Sequence, residues 1–242
     1  GRRERSLHPV LRVDRDGPAR PRRRDLQRPD PPSSFLQRAG SVPAVPVDGS
    51  GPVGEPYHKL RLVPFGEYVP DRWFYELIVP DLVGLIQREY APGSNPPLVQ
   101  VGDVGVGLAI CFDVIYDEVI AESVTAGAEL LVFQTNNADF RGTDENLQQL
   151  AVARIRAVET GRTVVNVSTV GASQIIRPDG STLTGLPAGQ AGAMIADTDL
   201  RAGLTPAVLI GQGVSTVTLW GGLGGLALTG AIARRRRPPA VA

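Results

Sequence analysis

Two side chains that occur once each in the sequence, Cys111 and Lys59, are the ones best suited to nucleophilic chemistry. A cysteine attacks as a thiolate, which a nearby cation or base must stabilise. Lysine differs from the many arginines of this chain because it is a compact donor whose charge responds to burial. Glu67, downstream of Lys59, adds a carboxylate. These three residues predict an activated thiol nucleophile, and a buried core cysteine is the alternative.

Cys111 ends a run of small and β-branched residues, 104–110, that is apolar on both faces. Such a run is typical of a strand buried between layers, and α/β folds place their chemistry where such strands end. The alternation of strands and helices predicts an α/β layer fold. Further strands are predicted over 98–102, 130–134, 163–168, 173–176 and 191–197, and helices over 116–126 and 145–160. The second helix is expected to bury Leu147, Leu150, Ala151, Ile155 and Val158.

Several longer stretches match a family pattern. They are Val63-Pro64-Phe65-Gly66-Glu67-Tyr68-Val69-Pro70 after Lys59, then Ile110-Cys111-Phe112-Asp113, then 136–140, 153–162 and Pro178-Asp179-Gly180. They resemble the nitrilase (carbon–nitrogen hydrolase) superfamily and, within it, the apolipoprotein N-acyltransferases. The resemblance begins at about Tyr57. It implies the four-layer αββα nitrilase-like sandwich, with residues 45–203 as the catalytic domain.

The resemblance also implies a mechanism. In that family a cysteine takes a fatty acyl group from a phospholipid as a thioester. The group then passes to the N-terminal amine of a diacylglyceryl-cysteine apolipoprotein. The implied roles are nucleophile for Cys111, oxyanion stabilisation for Lys59 and orientation of the site for Glu67. The substrate-binding residues implied are Asp113, Asn136, Asn137 and Phe140. Turn chemistry is the alternative for the two asparagines and loop packing for Phe140.

The family pattern requires a glutamate general base in a Pro-Glu motif well upstream of the lysine. The upstream glutamates are Glu4 and Glu55, and neither has that setting, so the base is assigned to no residue. Full-length members of the family carry several membrane helices ahead of the catalytic domain. We therefore expect this chain to be the C-terminal part of such an enzyme.

Residues 1–44 are crowded with arginine and proline and show no apolar period. A segment of this composition cannot bury enough apolar surface to order itself, so disorder is expected. A basic tail for anionic lipid or nucleic acid is the alternative. The segment has neither the pattern of a signal peptide nor a transmembrane helix. Its lack of pattern also suggests the hypothesis that it is not the natural upstream sequence.

The C-terminal segment, 204–242, has no charged residue before Arg234. About 214–233 is long enough to span a bilayer as a helix, and a glycine-rich helix is tolerated where neighbours pack against it. Four arginines follow at once, and the positive-inside rule places that end in the cytoplasm. We expect the protein to reside in the bacterial inner membrane, with the catalytic domain on the extracytoplasmic side. A buried helix or a disordered tail is the alternative.

Residues 73–88 show the apolar spacing of a helix, interrupted at Pro80. In the family this region borders a membrane-facing entrance, and a helix packed on the core is equally compatible with the spacing.

Composition narrows the function classes. Lys plus Arg and Asp plus Glu each number 25, so the net charge is zero and no basic footprint for nucleic acid appears. One cysteine and two histidines give no metal-ligand spacing, so neither metal nor cofactor is expected. The expected partners are a phospholipid acyl donor, an apolipoprotein acceptor and the membrane. The functional hypotheses are the N-acyltransferase, a nitrilase-type amidase that hydrolyses a carbon–nitrogen bond, and an inactive truncated fragment.

Overall fold

The computed structural model describes residues 6–7, 11–12, 41–48, 51–52, 54–86 and 89–235. The chain divides into two compact units, with the boundary between Gly203 and Leu204. The strands of the first unit are β1 (Ser6–Leu7), β2 (Leu11–Arg12), β3 (Pro43–Ala44), β4 (Val47–Asp48), β5 (Gly51–Pro52), β6 (Tyr57–His58), β7 (Leu98–Val101), β8 (Val104–Ile110), β9 (Leu130–Thr135), β10 (Val164–Ser168), β11 (Ser173–Ile176), β12 (Thr182–Leu186), β13 (Ala193–Met194) and β14 (Thr198–Asp199). Its helices are α1 (Arg72–Ile78), α2 (Pro80–Gly84), α3 (Asp117–Thr125) and α4 (Glu145–Thr160). Short 3-10 turns span Cys111–Ile115 and Ala138–Phe140.

The centre of the first unit is a six-stranded mixed sheet with the strand order β12-β11-β10-β9-β8-β7. The three central strands, β8, β9 and β10, run parallel, and the outer strands pair antiparallel. In this register Val106 lies opposite Leu130. Parallel strands end at the same edge of a sheet, so the residues that follow β8 and β9, Cys111 and Asn136, share one edge. The predicted α/β architecture is confirmed.

Glycines allow α3 to pack closely on β8. A Cβ on Gly107 would lie 2.6 Å from Leu131 Cδ2 and 2.9 Å from the hydroxyl oxygen of Ser123 on α3. A Cβ on Gly105 would lie 2.4 Å from the carbonyl oxygen of Gly127. Glycine therefore alternates with larger residues along β8, so that α3 packs closely on the glycine face of the strand and the larger residues of the other face pack in the core.

The opposite face of the sheet carries the main apolar core. Its residues come from alternate positions of the central strands, from β11 and from the short strands β3, β6 and β13: Ala44, Tyr57, Val104, Val106, Leu108, Ile110, Leu130, Val132, Val165, Val167, Ile175 and Met194. Burying this much apolar surface is the main force that holds the short strands against the sheet. One of these short strands, β6, directly precedes Lys59 and therefore carries it to the sheet.

Helix α4 has the predicted bounds and ends at Gly161, whose φ of 65° is left-handed. The predicted buried face is largely wrong, because only Leu150 of its five residues is buried. Leu147, Ile155 and Val158 are more than half exposed, and Ala151 is exposed as well. The buried residues are Leu150, Ala153, Arg156, Ala157 and Thr160. Alanines let the helix lie close to the sheet, and the buried arginine is explained by the hydrogen bonds described below.

The remaining predicted elements differ in detail. Strand β12 was not predicted, and the stretch 191–197 contains only the two residues of β13. The apolar segment after residue 72 forms two helices, since α1 ends before Val79 and α2 begins at Pro80. The expected disorder of residues 1–44 falls largely outside the described residues. Most of those that are described form short strands, with β1 beside β14, β2 beside β13 and β3 beside β6.

The second unit contains helix α5 (Pro206–Arg235). In the described part of the chain it is the one helix long and apolar enough to cross a membrane, over residues Pro206–Ile232. The helix begins eight residues earlier than the predicted span, 214–233, because no proline or charged residue follows Pro206 before that span.

Candidate active site

Cys111 lies at the bend between β8 and the 3-10 turn. Its backbone is left-handed, with a φ of 53°. Such a conformation costs a non-glycine residue about 1–3 kcal/mol and persists only where the surrounding structure holds it. The residue is half-buried and its thiol is free. A strained residue at the end of a buried strand is typical of a functional position.

Asp113 joins the cysteine bend to the segment that carries Lys59. It is fully buried, at 0% exposure. Its Oδ2 accepts hydrogen bonds from the Tyr57 hydroxyl at 2.7 Å, the Ile110 amide at 3.1 Å and the Leu60 amide at 3.4 Å. Its Oδ1 accepts one from the Arg61 amide at 2.7 Å. Burial and the neighbouring carboxylate raise the pKa of Tyr57, so that hydroxyl stays a donor.

Lys59 is almost completely buried, at 1% exposure. Its Nζ lies 2.7 Å from each carboxylate oxygen of Glu67. The Lys59 backbone is fixed on both sides, since its amide donates to Val42 and its carbonyl accepts from Gly93. A buried ammonium requires such a partner, because an unpaired charge in this position would be strongly unfavourable.

The loop after Lys59 holds Glu67 in place. The carboxylate accepts a 2.8 Å hydrogen bond from the Val63 amide, and the Val63 carbonyl accepts from the Gly66 and Glu67 amides. Phe65 in the middle of this loop has a left-handed φ of 59°. The loop is therefore a tight turn in which the side chain of Glu67 folds back onto the backbone of Val63.

The thiol responds electrostatically to both charged groups. Burial raises the pKa of Cys111, Lys59 lowers that pKa, and Glu67 raises it. The structure thus brings the three side chains predicted to be catalytic into one electrostatic cluster. Since the net shift is upward, the resting thiol is protonated at neutral pH.

Residues 43–203, more than half of the chain, match the model of the carbon–nitrogen hydrolase family. The chain belongs to that family. The predicted nitrilase-type fold is therefore confirmed, as is the prediction that the chain belongs to a family of enzymes.

Curated relatives of this carbon–nitrogen hydrolase agree with the predicted resemblance. The apolipoprotein N-acyltransferase of Mycolicibacterium smegmatis is 36% identical over 182 residues, which are 74% of this chain and 29% of that protein. The enzyme of the same name from Ralstonia nicotianae is 36% identical over 186 residues, 75% of this chain and 34% of that protein. The chain thus spans about a third of the length of these relatives. A solved amidase from Nesterenkonia sp. is 22% identical, with a TM-score of 0.47 over 67% of this chain and 60% of that one, a likeness that bears on neither site nor activity.

The four residues predicted to bind substrate lie in different settings within the carbon–nitrogen hydrolase fold. Asp113 has the buried contacts described above, which favour a positioning role over contact with substrate. Asn136 is exposed, and its Oδ1 accepts from the Ala138 amide and the Thr169 hydroxyl. Asn137 is buried, and Phe140 is 42% exposed. The two asparagines follow β9 at the edge of the sheet where Cys111 follows β8.

Three side chains of this hydrolase site were missed by sequence reasoning. Tyr57 bonds to Asp113, while Gln149 and Arg156 of α4 bond to the cysteine bend. Arg156 lies in the family-like stretch 153–162, which was the available signal, although nothing in its spacing indicated a target 42 residues away. In the described part of the chain, no three His, Cys, Asp or Glu side chains are grouped so that they could hold a metal ion.

An apolar surface lies next to the Glu67 loop of the hydrolase domain. Trp73 and Leu77 of α1 are 74% and 80% exposed, and α1 contributes no buried residue. Phe65 of the loop stacks edge-to-face on Tyr75 of α1, with ring centroids 4.9 Å apart. Helix α1 therefore shows its apolar side chains on the surface, which does not favour the alternative of a helix packed on the core, whereas α2 buries Val83.

Proposed function

We propose that this chain carries out acyl transfer from a phospholipid to the N-terminal amine of a lipid-modified apolipoprotein. The observation that carries the proposal is the buried ammonium of Lys59, held by Glu67 and acting electrostatically on the thiol of Cys111. A thiol nucleophile with a fixed cation beside it is the arrangement that acyl transfer through a thioester needs.

In the first half-reaction the sulfur of Cys111 attacks the ester carbonyl of the phospholipid. A carbon–sulfur bond forms, the ester carbon–oxygen bond breaks, and the thiol proton ends on the alcohol of the departing lysophospholipid. In the second half-reaction the amine attacks the thioester, so that an amide forms and the thiol is regenerated. Lys59 stabilises the oxyanion of each tetrahedral intermediate, where a preorganised donor has its largest effect.

Two features support a lipid substrate. The exposed apolar side chains of α1 and the Phe65 loop form a surface next to Glu67 that lipid chains could cover. Helix α5 has the length and composition to cross a bilayer. The four arginines at its C-terminal end, 234–237, favour a cytoplasmic C-terminus and hence an extracytoplasmic catalytic domain.

The test is to incubate the full chain in detergent micelles with a phospholipid whose acyl chain carries an alkyne tag. We expect a tag on Cys111 that neutral hydroxylamine removes, because hydroxylamine cleaves thioesters. Cys111→Ser serves as the control, and it should carry no hydroxylamine-sensitive tag. If the wild-type chain is folded and stays untagged, the acyltransferase proposal is wrong.

A second candidate function is an amidase that hydrolyses a carbon–nitrogen bond, favoured by the match to the carbon–nitrogen hydrolase model itself. The same cysteine would then be acylated by an amide and water would release the acid. Release of ammonia from short aliphatic amides, together with no tag from phospholipid, would favour this activity over acyl transfer.

A further inference from the structure

Helix α4 contacts the cysteine bend at two points. The Gln149 side-chain amide donates a 2.9 Å hydrogen bond to the Cys111 carbonyl, at the start of the 3-10 turn. The Arg156 guanidinium donates 2.8 Å hydrogen bonds to the carbonyls of Val114 and Ile115, at the end of the turn. Gln149 and Arg156 are seven residues apart, which is two helical turns, so they lie on the same face of α4. The two side chains therefore span the whole turn that begins with Cys111.

The turn needs such contacts because Cys111 is held in a left-handed conformation. A strained residue relaxes unless its neighbours fix it, and the last carbonyls of a short helical turn lack partners within the turn. Asp113 bonds to the Ile110 amide just before the bend. The other hydrogen bonds of Asp113 come from the segment around Lys59, whereas Gln149 and Arg156 bind the carbonyls of the turn from α4.

We propose that Gln149 and Arg156 are positioning residues that fix the Cys111 backbone for nucleophilic attack. This proposal rests on the role of Cys111 as the nucleophile of the proposed acyl transfer. It assigns a function to Arg156, which lies in the family-like stretch 153–162.

The choice of arginine at position 156 follows from its contacts. The guanidinium is buried, at 5% exposure, and reaches two adjacent carbonyls through separate nitrogens. Its charge is balanced by Asp117, at 2.7 Å, and by Glu159 one turn along the helix. A lysine could keep the ion pairs but could not reproduce the planar fork that contacts both carbonyls. Arg156→Lys therefore removes the clamp while it keeps the charge.

Gln149 also bears on the reactivity of the Cys111 thiol. Its side-chain hydrogen bond to the cysteine lowers the pKa of the Cys111 thiol, against the upward effect of burial. Loss of this amide should therefore affect both the placement of the bend and the proton on the sulfur.

The test compares Arg156→Lys and Gln149→Leu with matched controls from the same helix. Arg154→Lys is the first control, because Arg154 bonds to Gly180, Gln174 and Thr182 and not to the cysteine bend. Gln148→Leu is the second, because Gln148 is exposed beside Gln149. Two rates are measured on the full chain in detergent: alkylation of Cys111 by iodoacetamide across pH, and formation of the hydroxylamine-sensitive acyl tag.

We expect Arg156→Lys and Gln149→Leu to slow tag formation about tenfold, the rate equivalent of one ordinary hydrogen bond. Gln149→Leu should also shift the alkylation profile to higher pH, which a merely structural change in a folded protein would not do. Both controls should match wild type. If Arg156→Lys and Gln149→Leu form the tag as fast as their controls, the proposal is overturned. If wild type forms no tag but the alkylation profiles still differ as expected, the acyltransferase proposal fails and the positioning of Cys111 stands.

Discussion

Replacing Asp113 with asparagine should weaken both the fold and the site, because this carboxylate joins the Lys59 segment to the cysteine bend. An asparagine amide has one oxygen and one nitrogen. With its oxygen in the place of Oδ2 it can still accept from Tyr57 and Ile110, but its nitrogen then faces the Arg61 amide, which is also a donor. The side chain is fully buried, so water cannot replace the lost acceptor.

The magnitude follows from the four hydrogen bonds. One donor loses its partner, which costs about 1–3 kcal/mol, and the remaining bonds lose the strength that a charged acceptor gives them. Together these changes should lower the free energy of unfolding by about 4 kcal/mol, a large share of the stability of an ordinary domain. Tyr57→Phe removes a single bond to the carboxylate and keeps the ring packing, so it should cost about 2 kcal/mol.

Urea unfolding of the full chain in detergent, followed by circular dichroism, measures these free energies. Asp103→Asn is the matched control because Asp103 is exposed in the turn between β7 and β8, and it should leave stability unchanged. In the double variant, Tyr57→Phe should cost about 1 kcal/mol less than it does alone, since its partner is already neutral. If Asp113→Asn is as stable as the control, or the two changes are fully additive, Asp113 does not couple the two segments and the reasoning is wrong.

The other predictions concern the charge, packing and surface of the site. The pKa of Cys111 is raised by burial and by Glu67 and lowered by Lys59. Lys59→Met should therefore move the pH profile of Cys111 alkylation to higher pH, and Glu67→Gln should move it to lower pH. Shifts of both profiles in the same direction would contradict this. Lys59→Met should also slow acyl-tag formation by about 10²–10³-fold through loss of the oxyanion donor, and a smaller loss than tenfold would exclude that role. Gly107→Ala should destabilise the domain by about 1–3 kcal/mol in urea unfolding because the added Cβ has atoms within 3.0 Å, and no loss would mean that α3 can move away. Trp73→Ser should slow tag formation from phospholipid vesicles while the iodoacetamide rate stays unchanged, and a change in both rates would point to a folding defect instead.

The central part of the fold could be predicted from the sequence because its signals are local. A continuous apolar run gave β8, and a glycine after an amphipathic stretch gave the end of α4 at residue 160. The buried face of α4 could not be predicted from hydrophobicity, because the face that packs on the sheet and the cysteine bend carries small residues and one arginine, while Ile155 and Val158 are exposed. The short strand β12 lies at the edge of the sheet, where burial is partial and its apolar pattern is weak.

The candidate site shows the same division between local and long-range information. Cys111 and Lys59 could be found because each is the only residue of its type, and Glu67 lies in the same motif as its partner. The contacts of Asp113 could not be predicted, because its donors Tyr57 and Arg61 lie more than 50 residues away in sequence. Hydrogen bonds between distant segments depend on the register of the sheet, and no sequence pattern specifies them.

The charges of the site are compatible with the proposed role of a buried and protonated thiol as nucleophile. Lys59 is paired through both oxygens of Glu67, so the pair is nearly neutral and does little to hold a permanent thiolate. The upward pKa of Cys111 agrees with this, since burial outweighs the pull of the ammonium. In the proposed acyl transfer the carbonyl oxygen of the ester takes up negative charge, and the same ammonium would then face a new partner in a site with little water, where a fixed charge acts most strongly. The arrangement therefore favours the transition state over the resting thiolate, because the ammonium is already in place and need not reorganise during the reaction.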